Sequence, residues 1–91
     1  MGKINVVIVD DNERVVNLLV DILKGDSDIE VVGTSENGMD ALDMIKEKKP
    51  DVVLLDLIMP KLDGLGVMEK VRLDESFKKI PAFIVITAIG C

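Results

Sequence analysis

The sequence contains no histidine, tryptophan or tyrosine, two phenylalanines and one cysteine. Without histidine, the usual zinc sites and catalysis by an imidazole base are excluded. Two aromatic side chains cannot form a platform on which nucleic-acid bases stack. The cysteine, Cys91, has no partner for an internal disulfide, although pairing with another chain stays open. Any chemistry must therefore use carboxylates, hydroxyls, amines and the backbone.

Long apolar runs and an excess of positive charge are also absent. No apolar run reaches the ~18 residues of a membrane span, and the amino terminus MGKINVVIVDD lacks the layout of a signal peptide. We therefore expect a cytoplasmic protein that does not enter a membrane. The net charge of −6 disfavours direct binding to nucleic-acid phosphates. With 91 residues, 48% hydrophobic and 31% charged, the chain is expected to form one folded domain.

Short apolar runs alternate with amphipathic segments along the whole chain. We predict strands near residues 4–9, 29–35, 51–56 and 82–87, and helices near 12–24, 38–48 and 65–73. The nearly continuous apolar run before Asp56 is typical of a central strand covered on both faces, whereas the more polar second strand is expected at an edge. This alternation predicts an α/β fold with an open parallel sheet and helices on both faces.

The helices carry recognisable ends and apolar faces. Asn12 is a typical N-cap for the first helix, and Gly25 is expected to end it in a left-handed conformation. The residues predicted to face the core are Val15, Leu18, Leu19, Ile22 and Leu23 in the first helix, Ala41, Leu42 and Ile45 in the second, and Val67, Met68 and Val71 in the third.

Three of the predicted strands end at oxygen-bearing side chains. The first ends at Asp10 and Asp11, the third at Asp56 and the fourth at Thr87. Functional groups collect at the carboxyl ends of strands in open α/β sheets. Carboxylates brought together there repel one another unless they are protonated or bridged by a cation. Ligands that are all oxygen favour a hard ion, most simply Mg²⁺.

Simpler structural roles are alternatives for most of these residues. Asp11 could cap the following helix, Thr87 could be an ordinary β-branched strand residue, and Asp63 before Gly64 could be a turn residue or a helix cap. Asp56 has no comparable explanation, because it interrupts apolar sequence and no basic residue lies near it.

Three segments together resemble the receiver domains of bacterial response regulators: VDDN at 9–12, LLDLIMPKLDG at 54–64 and ITA at 86–88. The resemblance implies a flavodoxin-like sheet of order 2-1-3-4 and a role in two-component signalling. It implies that Asp56 accepts a phosphoryl group from a phosphohistidine on a histidine kinase or phosphotransferase protein. Thr87 would be the switch hydroxyl, and Ala88 a small residue that leaves access to the phosphoryl group. The implied ligands of Mg²⁺ (or Mn²⁺) are Asp10, Asp11, Asp56 and the backbone carbonyl of Ile58.

The amino-acid sequence of residues 51–72 is similar to that of receivers in sporulation regulators. This similarity implies a transcriptional role, with DNA bound by a domain outside this sequence. Compared with a complete receiver, the fourth helix, the fifth strand with its phosphate-binding lysine and the fifth helix have no counterpart. We therefore expect a receiver incomplete at its C-terminus or a fragment of a longer regulator. The apolar run AFIVIT is expected to form an uncovered edge that pairs with another copy of the chain. A domain-swapped dimer, in which the two copies exchange elements, is one form of this pairing.

Two other functions remain as alternatives. A pseudo-receiver that dimerises without phosphorylation agrees with the missing lysine but leaves the acidic residues unexplained. A phosphatase that forms an aspartyl-phosphate needs an acid two positions after the nucleophile, where this sequence has Ile58. We expect a phosphoacceptor regulatory domain rather than an enzyme.

Overall fold

The computed structural model of the protein describes residues 2–57 and 62–86. Its elements, in chain order, are β1 (Ile4–Val9), α1 (Glu13–Lys24), β2 (Ile29–Ser35), α2 (Gly38–Lys48), β3 (Val52–Asp56), α3 (Gly64–Leu73) and β4 (Ala82–Ile86). The predicted bounds of β1, β2 and α2 are the observed ones. None of the helices in these two ranges is long and apolar enough to cross a membrane.

The four strands form one parallel sheet in the order β2-β1-β3-β4. Parallel pairing follows from the helix in every connection, because a tight turn joins only antiparallel strands. The fold and the strand order confirm the prediction, including the edge position of β2. The register pairs Val9 of β1 with Leu55 of β3. The residues that follow, Asp10 and Asp56, therefore lie side by side at the carboxyl edge of the sheet.

The main core lies between the sheet and the helices α2 and α3. Its buried members are Val7, Val9, Ala41, Ile45, Val53, Leu55, Val67, Val71 and Phe77. Side chains alternate between the two faces of a strand, so the buried Val6 and Ile8 of β1 point to the other face, where α1 packs on β1 and β2. On that face of β3, Val52 and Leu54 are only half-buried. The third strand is central in the sheet, as predicted, and the described residues cover one of its faces more completely than the other.

Helix α1 begins as predicted but buries less than predicted. The Asn12 side-chain oxygen accepts hydrogen bonds from the N–H groups of Arg14 at 3.0 Å and Val15 at 3.4 Å, which confirms the N-cap. Leu18 and Ile22, which were expected in the core, are 59% and 61% exposed. Helix α1 packs mainly on β2 and β1. These two strands cover part of its apolar face and leave Leu18 and Ile22 in contact with solvent.

The left-handed helix end occurs at a different place from the one predicted. Gly25 has φ −71° and ψ −12°, an ordinary right-handed conformation, so the prediction for this residue is wrong. Lys49 has φ 48° and ends α2, and its N–H donates to the Ile45 carbonyl at 3.0 Å. Lys49 precedes Pro50, and the residue before a proline is disfavoured in the right-handed helical region.

Candidate functional site

The carboxyl ends of β1 and β3 bring Asp10, Asp11 and Asp56 together. Each offers a carboxylate oxygen, and these oxygens all lie within 4.8 Å of one another. Asp10 is 5% exposed and Asp56 is 9% exposed, whereas Asp11 is exposed to solvent. The structure thus confirms that these three predicted residues meet, with two carboxylates withdrawn from water and the third at the surface.

Asp10 is held by backbone groups on two sides. Its Oδ1 accepts a hydrogen bond from the Asn12 N–H at 2.8 Å, and its own N–H donates to the Ser35 carbonyl at 3.0 Å. Burial raises the pKa of the Asp10 carboxyl above its usual value, and the bond from Asn12 partly opposes this effect. The charges of Asp56 and Asp11 and a hydrogen bond with Asp56 raise this pKa further. Positive charge at this position would relieve the repulsion.

The three residues fit a hard divalent cation. All the ligand atoms they offer are carboxylate oxygens, and they converge from two rigid strand ends. Magnesium, calcium and manganese prefer such oxygen ligands, whereas softer metals prefer nitrogen or sulfur. The cluster can therefore hold a cation of this class, with the exposed Asp11 on its open side.

Gly64 allows α3 to begin directly against the backbone of Asp56. A methyl group on Gly64 would meet the Asp56 carbonyl oxygen and would lie 2.8 Å from the Cα of Leu57. The N–H of Gly64 donates to the Leu57 carbonyl at 3.1 Å. The sequence analysis named Gly64 only as the residue after Asp63, and this contact with the strand that carries Asp56 was not foreseen.

Helix capping explains one of the aspartates near the site but not another. The Asp63 Oδ1 accepts a hydrogen bond from the Gly66 N–H at 2.8 Å, which confirms the interpretation of Asp63 as a helix cap. The N-cap of α1 is Asn12. Capping therefore does not account for Asp11.

Some predicted residues lie outside the described ranges, and one useful residue was missed. Ile58, Thr87 and Ala88 are outside residues 2–57 and 62–86, so their roles stay predictions. Ser35 was missed, although it is only 6% exposed and its carbonyl holds the N–H of Asp10. The rule that polar residues at strand ends converge would have found it, because Ser35 is the last residue of β2.

The fold and the acidic cluster define an α/β protein of the flavodoxin-like class with three carboxylates that could hold a cation at the carboxyl edge of its sheet. The family model of the response regulator receiver domain matches residues 6–90. The chain therefore belongs to the response regulator receiver family, as the resemblance predicted.

Solved structures agree with this assignment. The chain is 34% identical to the signal receiver domain of a response regulator assigned as NarL from Mycobacterium tuberculosis, with a TM-score of 0.88 over 100% of this chain and 71% of that one. It is 30% identical to a chain in the CheX–CheY–BeF3–Mg²⁺ complex from Borrelia burgdorferi, with a TM-score of 0.84 over 99% and 66%. It is 29% identical to a DNA-binding response regulator of the LuxR family from Staphylococcus aureus, with a TM-score of 0.83 over 96% and 70%.

Proposed function

We propose that the protein is a phosphoacceptor in two-component signalling and that Asp56 receives the phosphoryl group. The observation that carries this proposal is the meeting of three carboxylates within 4.8 Å at adjoining strand ends, in a chain of the receiver family. Asp56 ends a strand buried in the sheet. A nucleophile on such a rigid element is held in one position, which favours reaction with a donor that docks there.

The donor is a phosphohistidine on a histidine kinase or phosphotransferase protein. A carboxylate oxygen of Asp56 attacks the phosphorus atom, so that a P–O bond forms as the P–N bond to histidine breaks. The electron pair of the broken bond stays on the imidazole nitrogen, and the imidazole is left neutral once its protons equilibrate with solvent. The present sequence has no histidine, so the donor group lies outside these 91 residues, and a small acyl phosphate can take its place in vitro.

We propose Mg²⁺, or Mn²⁺ in its place, as the cation that the cluster holds. Asp10, Asp11 and Asp56 supply carboxylate oxygens, and the carbonyl of Ile58 is the further ligand expected from the resemblance. Such an ion, when bound, offsets the repulsion among the carboxylates and stabilises charge on the transferring phosphoryl group. The bond from the Asn12 N–H to Asp10 Oδ1 at 2.8 Å orients this carboxylate.

The consequence of the reaction is regulatory rather than enzymatic. Phosphorylation gives residue 56 about −1.5 to −2 charges in place of −1. Thr87 is the hydroxyl that would move toward the new phosphoryl oxygens, with Ala88 leaving them accessible. A local change of charge of this kind shifts a conformational equilibrium, and a partner protein binds one of the two conformations more tightly.

Several finer features belong to the same proposal. We propose a cytoplasmic transcriptional regulator of the sporulation type, supported by the wording of residues 51–72 and by the likeness to a DNA-binding regulator. DNA would be bound by a domain outside this sequence. Self-association through β4 is supported by the edge position of this strand among the described residues and by the exposure of Ile84 (53%) and Val85 (41%).

Intact-mass spectrometry after treatment with acetyl phosphate tests the phosphoacceptor proposal. We expect one phosphoryl group on the parent protein in Mg²⁺ and none in EDTA. Asp56→Asn should abolish the gain, whereas Asp51→Asn, a matched change next to the opposite end of the same strand, should keep it. A folded parent that gains no phosphoryl group would contradict the proposal and favour a pseudo-receiver that acts by binding alone. The same spectra under native conditions report whether the protein is a dimer.

A further inference from the structure

A buried hydroxyl connects the acidic cluster to the start of α2. Ser35 is 6% exposed. Its Oγ donates to the Asn37 carbonyl at 2.9 Å and accepts from the Asn37 N–H at 3.4 Å. Asn37 in turn caps α2, because its side-chain oxygen accepts from the Asp40 N–H at 2.9 Å. Since the Ser35 carbonyl also binds the Asp10 N–H at 3.0 Å, Ser35 joins the metal-site residue Asp10 to the first turn of α2.

The first turn of α2 presses directly on the connection between β3 and α3. A methyl group on the buried Gly38 would meet the Leu62 carbonyl oxygen and would lie 2.6 Å from the Cβ and 2.8 Å from the carbonyl carbon of Leu62. A methyl on Gly66 would meet the other end of the same side chain, with Leu62 Cγ at 3.2 Å. Leu62 therefore fills the space between the first turns of α2 and α3, and its backbone cannot shift toward Gly38.

The contacts close a path between the two buried carboxylates. The connection that contains Leu62 leaves β3 at Leu57 and returns at Gly64, which lies against the Asp56 carbonyl. The path runs by hydrogen bonds from Asp10 to Ser35 and Asn37, along the backbone to Gly38, across a close contact to Leu62, and along the backbone to Gly64 and its close contact with Asp56. Its two ends are the strand ends that carry the cation site.

We propose that Ser35, Gly38 and Leu62 form a brace that fixes the spacing of the Asp10 and Asp56 carboxylates. Like charges within 4.8 Å repel, and the brace opposes the separation of the two strand ends. The three residues are positioning residues, because they act on the cation through the backbone of Asp10 and Asp56. This inference rests on the proposed function in one respect, namely that the cluster binds a divalent cation.

Two matched glycine substitutions test the brace. Gly38→Ala forces a methyl group against the backbone of Leu62, which cannot rotate away. Gly33→Ala is the control, because the three atoms nearest to a methyl there all belong to the flexible Met44 side chain. We expect Gly38→Ala to weaken Mg²⁺ binding about tenfold, because substitution of residues that support metal ligands commonly lowers metal affinity by such a factor. Gly33→Ala should leave the affinity unchanged. Calorimetric titration with MgCl₂ and NMR chemical shifts measure the affinity on protein shown by circular dichroism to be folded.

A milder pair of variants keeps the proposal testable if Gly38→Ala does not fold. Ser35→Ala removes the hydroxyl that holds Asn37, whereas Thr34→Ala removes an exposed hydroxyl on the neighbouring residue. We expect a several-fold loss of Mg²⁺ affinity for Ser35→Ala alone. Saturating Mg²⁺ should restore its rate of phosphorylation by acetyl phosphate to the parental plateau, which a general loss of structure would not allow.

The possible outcomes separate the brace from the proposed function. Folded Gly38→Ala or Ser35→Ala protein that binds Mg²⁺ as tightly as its control overturns the brace and leaves the proposed function intact. A parent protein that binds no divalent cation overturns the proposed function, and the brace as a device for the metal site with it. A selective loss of affinity in the brace variants supports both.

Discussion

One aspartate lies just before β3 and another is its last residue, and the surroundings of these two aspartates are opposite in kind. Just before the strand, Asp51 Oδ2 accepts a hydrogen bond from the Asn5 N–H at 2.8 Å, and its Oδ1 is paired with the Lys79 ammonium group. At the other end, the Asp56 carboxylate lies close to those of Asp10 and Asp11, which carry the same charge. The same side chain thus has complementary partners at one end and repelling neighbours at the other.

The pKa values follow this difference. The hydrogen bond from Lys79 lowers the pKa of the Asp51 carboxyl, and the bond from the Asn5 N–H lowers it further. At the opposite edge, burial and like charges raise the pKa of Asp10. Like charges therefore meet where a cation and a phosphoryl group are proposed to bind, whereas a lysine and a backbone N–H stabilise the charge of Asp51 at the other end of the strand.

Backbone contacts make the amino edge a fixed base for the site. The Asp51 N–H donates to the Asn5 carbonyl at 2.8 Å, and the Asp51 carbonyl accepts from the Ala82 N–H at 3.0 Å. Asp51 thereby joins the starts of β1, β3 and β4. We infer that this joint helps the carboxyl edge to tolerate the repulsion among its carboxylates.

Among variants at the two ends of β3, Gly64→Ala is expected to have the largest effect on stability, and it acts at the carboxyl end only. The new methyl group would meet the backbone of Asp56 and Leu57, so α3 must move away from the strand. We expect a loss of about 2–3 kcal/mol in the free energy of unfolding, measured by urea denaturation. Gly66→Ala is the control on the same helix, because the nearest atoms to its methyl belong to the side chains of Leu62 and Asp63 and not to the backbone. Equal losses in the two variants would contradict the account of Gly64.

Asp10→Asn should stabilise the metal-free protein, because it removes one of the repelling charges at the carboxyl edge. Asparagine keeps the oxygen that accepts the Asn12 N–H but carries no charge beside Asp56. In EDTA at pH 7 we expect the free energy of unfolding to rise by on the order of 1 kcal/mol. The rise in Tm that we expect Mg²⁺ to give the parent should be absent in this variant. Thermal melts with EDTA and with MgCl₂ measure both effects, and a variant less stable than the parent in EDTA would refute the repulsion argument.

Asp51→Asn should give the smallest effect and should depend on pH. A pKa that is lowered by folding contributes stability that is present above the ordinary aspartate pKa and is lost as the pH falls through the lowered value. We expect Tm a few degrees below that of the parent at pH 7, with the difference vanishing in acid.

Two lysine variants control for the partner of Asp51. Lys79→Met should show the same pH dependence as Asp51→Asn, because it removes the ammonium group that pairs with Asp51. Lys78→Met, at the neighbouring exposed position, should not. A difference in Tm that stays constant down to acid pH would show that the ion pair is not its cause.

Much of the fold could be predicted because its signals are local. An apolar run followed by an acid marks both β1 and β3, and the parallel arrangement places Asp10 beside Asp56. The helical period likewise identified Ala41 and Ile45, which are buried. The same period could not show how much of α1 the sheet covers, and so Leu18 and Ile22 were wrongly placed in the core.

The features that were missed depend on contacts between distant segments. Nothing in the sequence near Asp51 indicates that Lys79 will reach it. In the sequence, Gly38 is an ordinary first-turn residue of a helix, and only the structure shows its close contact with Leu62. Close approach of two backbones is a property of the packed structure, and a glycine in the sequence states only that such an approach is allowed.

The most direct test of the central claim is to locate the phosphoryl group chemically. The parent protein, treated with acetyl phosphate and Mg²⁺, is reduced with borohydride, which converts an aspartyl phosphate to homoserine, and its peptides are sequenced by mass spectrometry. We predict homoserine at position 56 and aspartate unchanged at position 51. Homoserine at another position, or at none in folded protein, would contradict the claim that the repelling end of β3 is the phosphoacceptor.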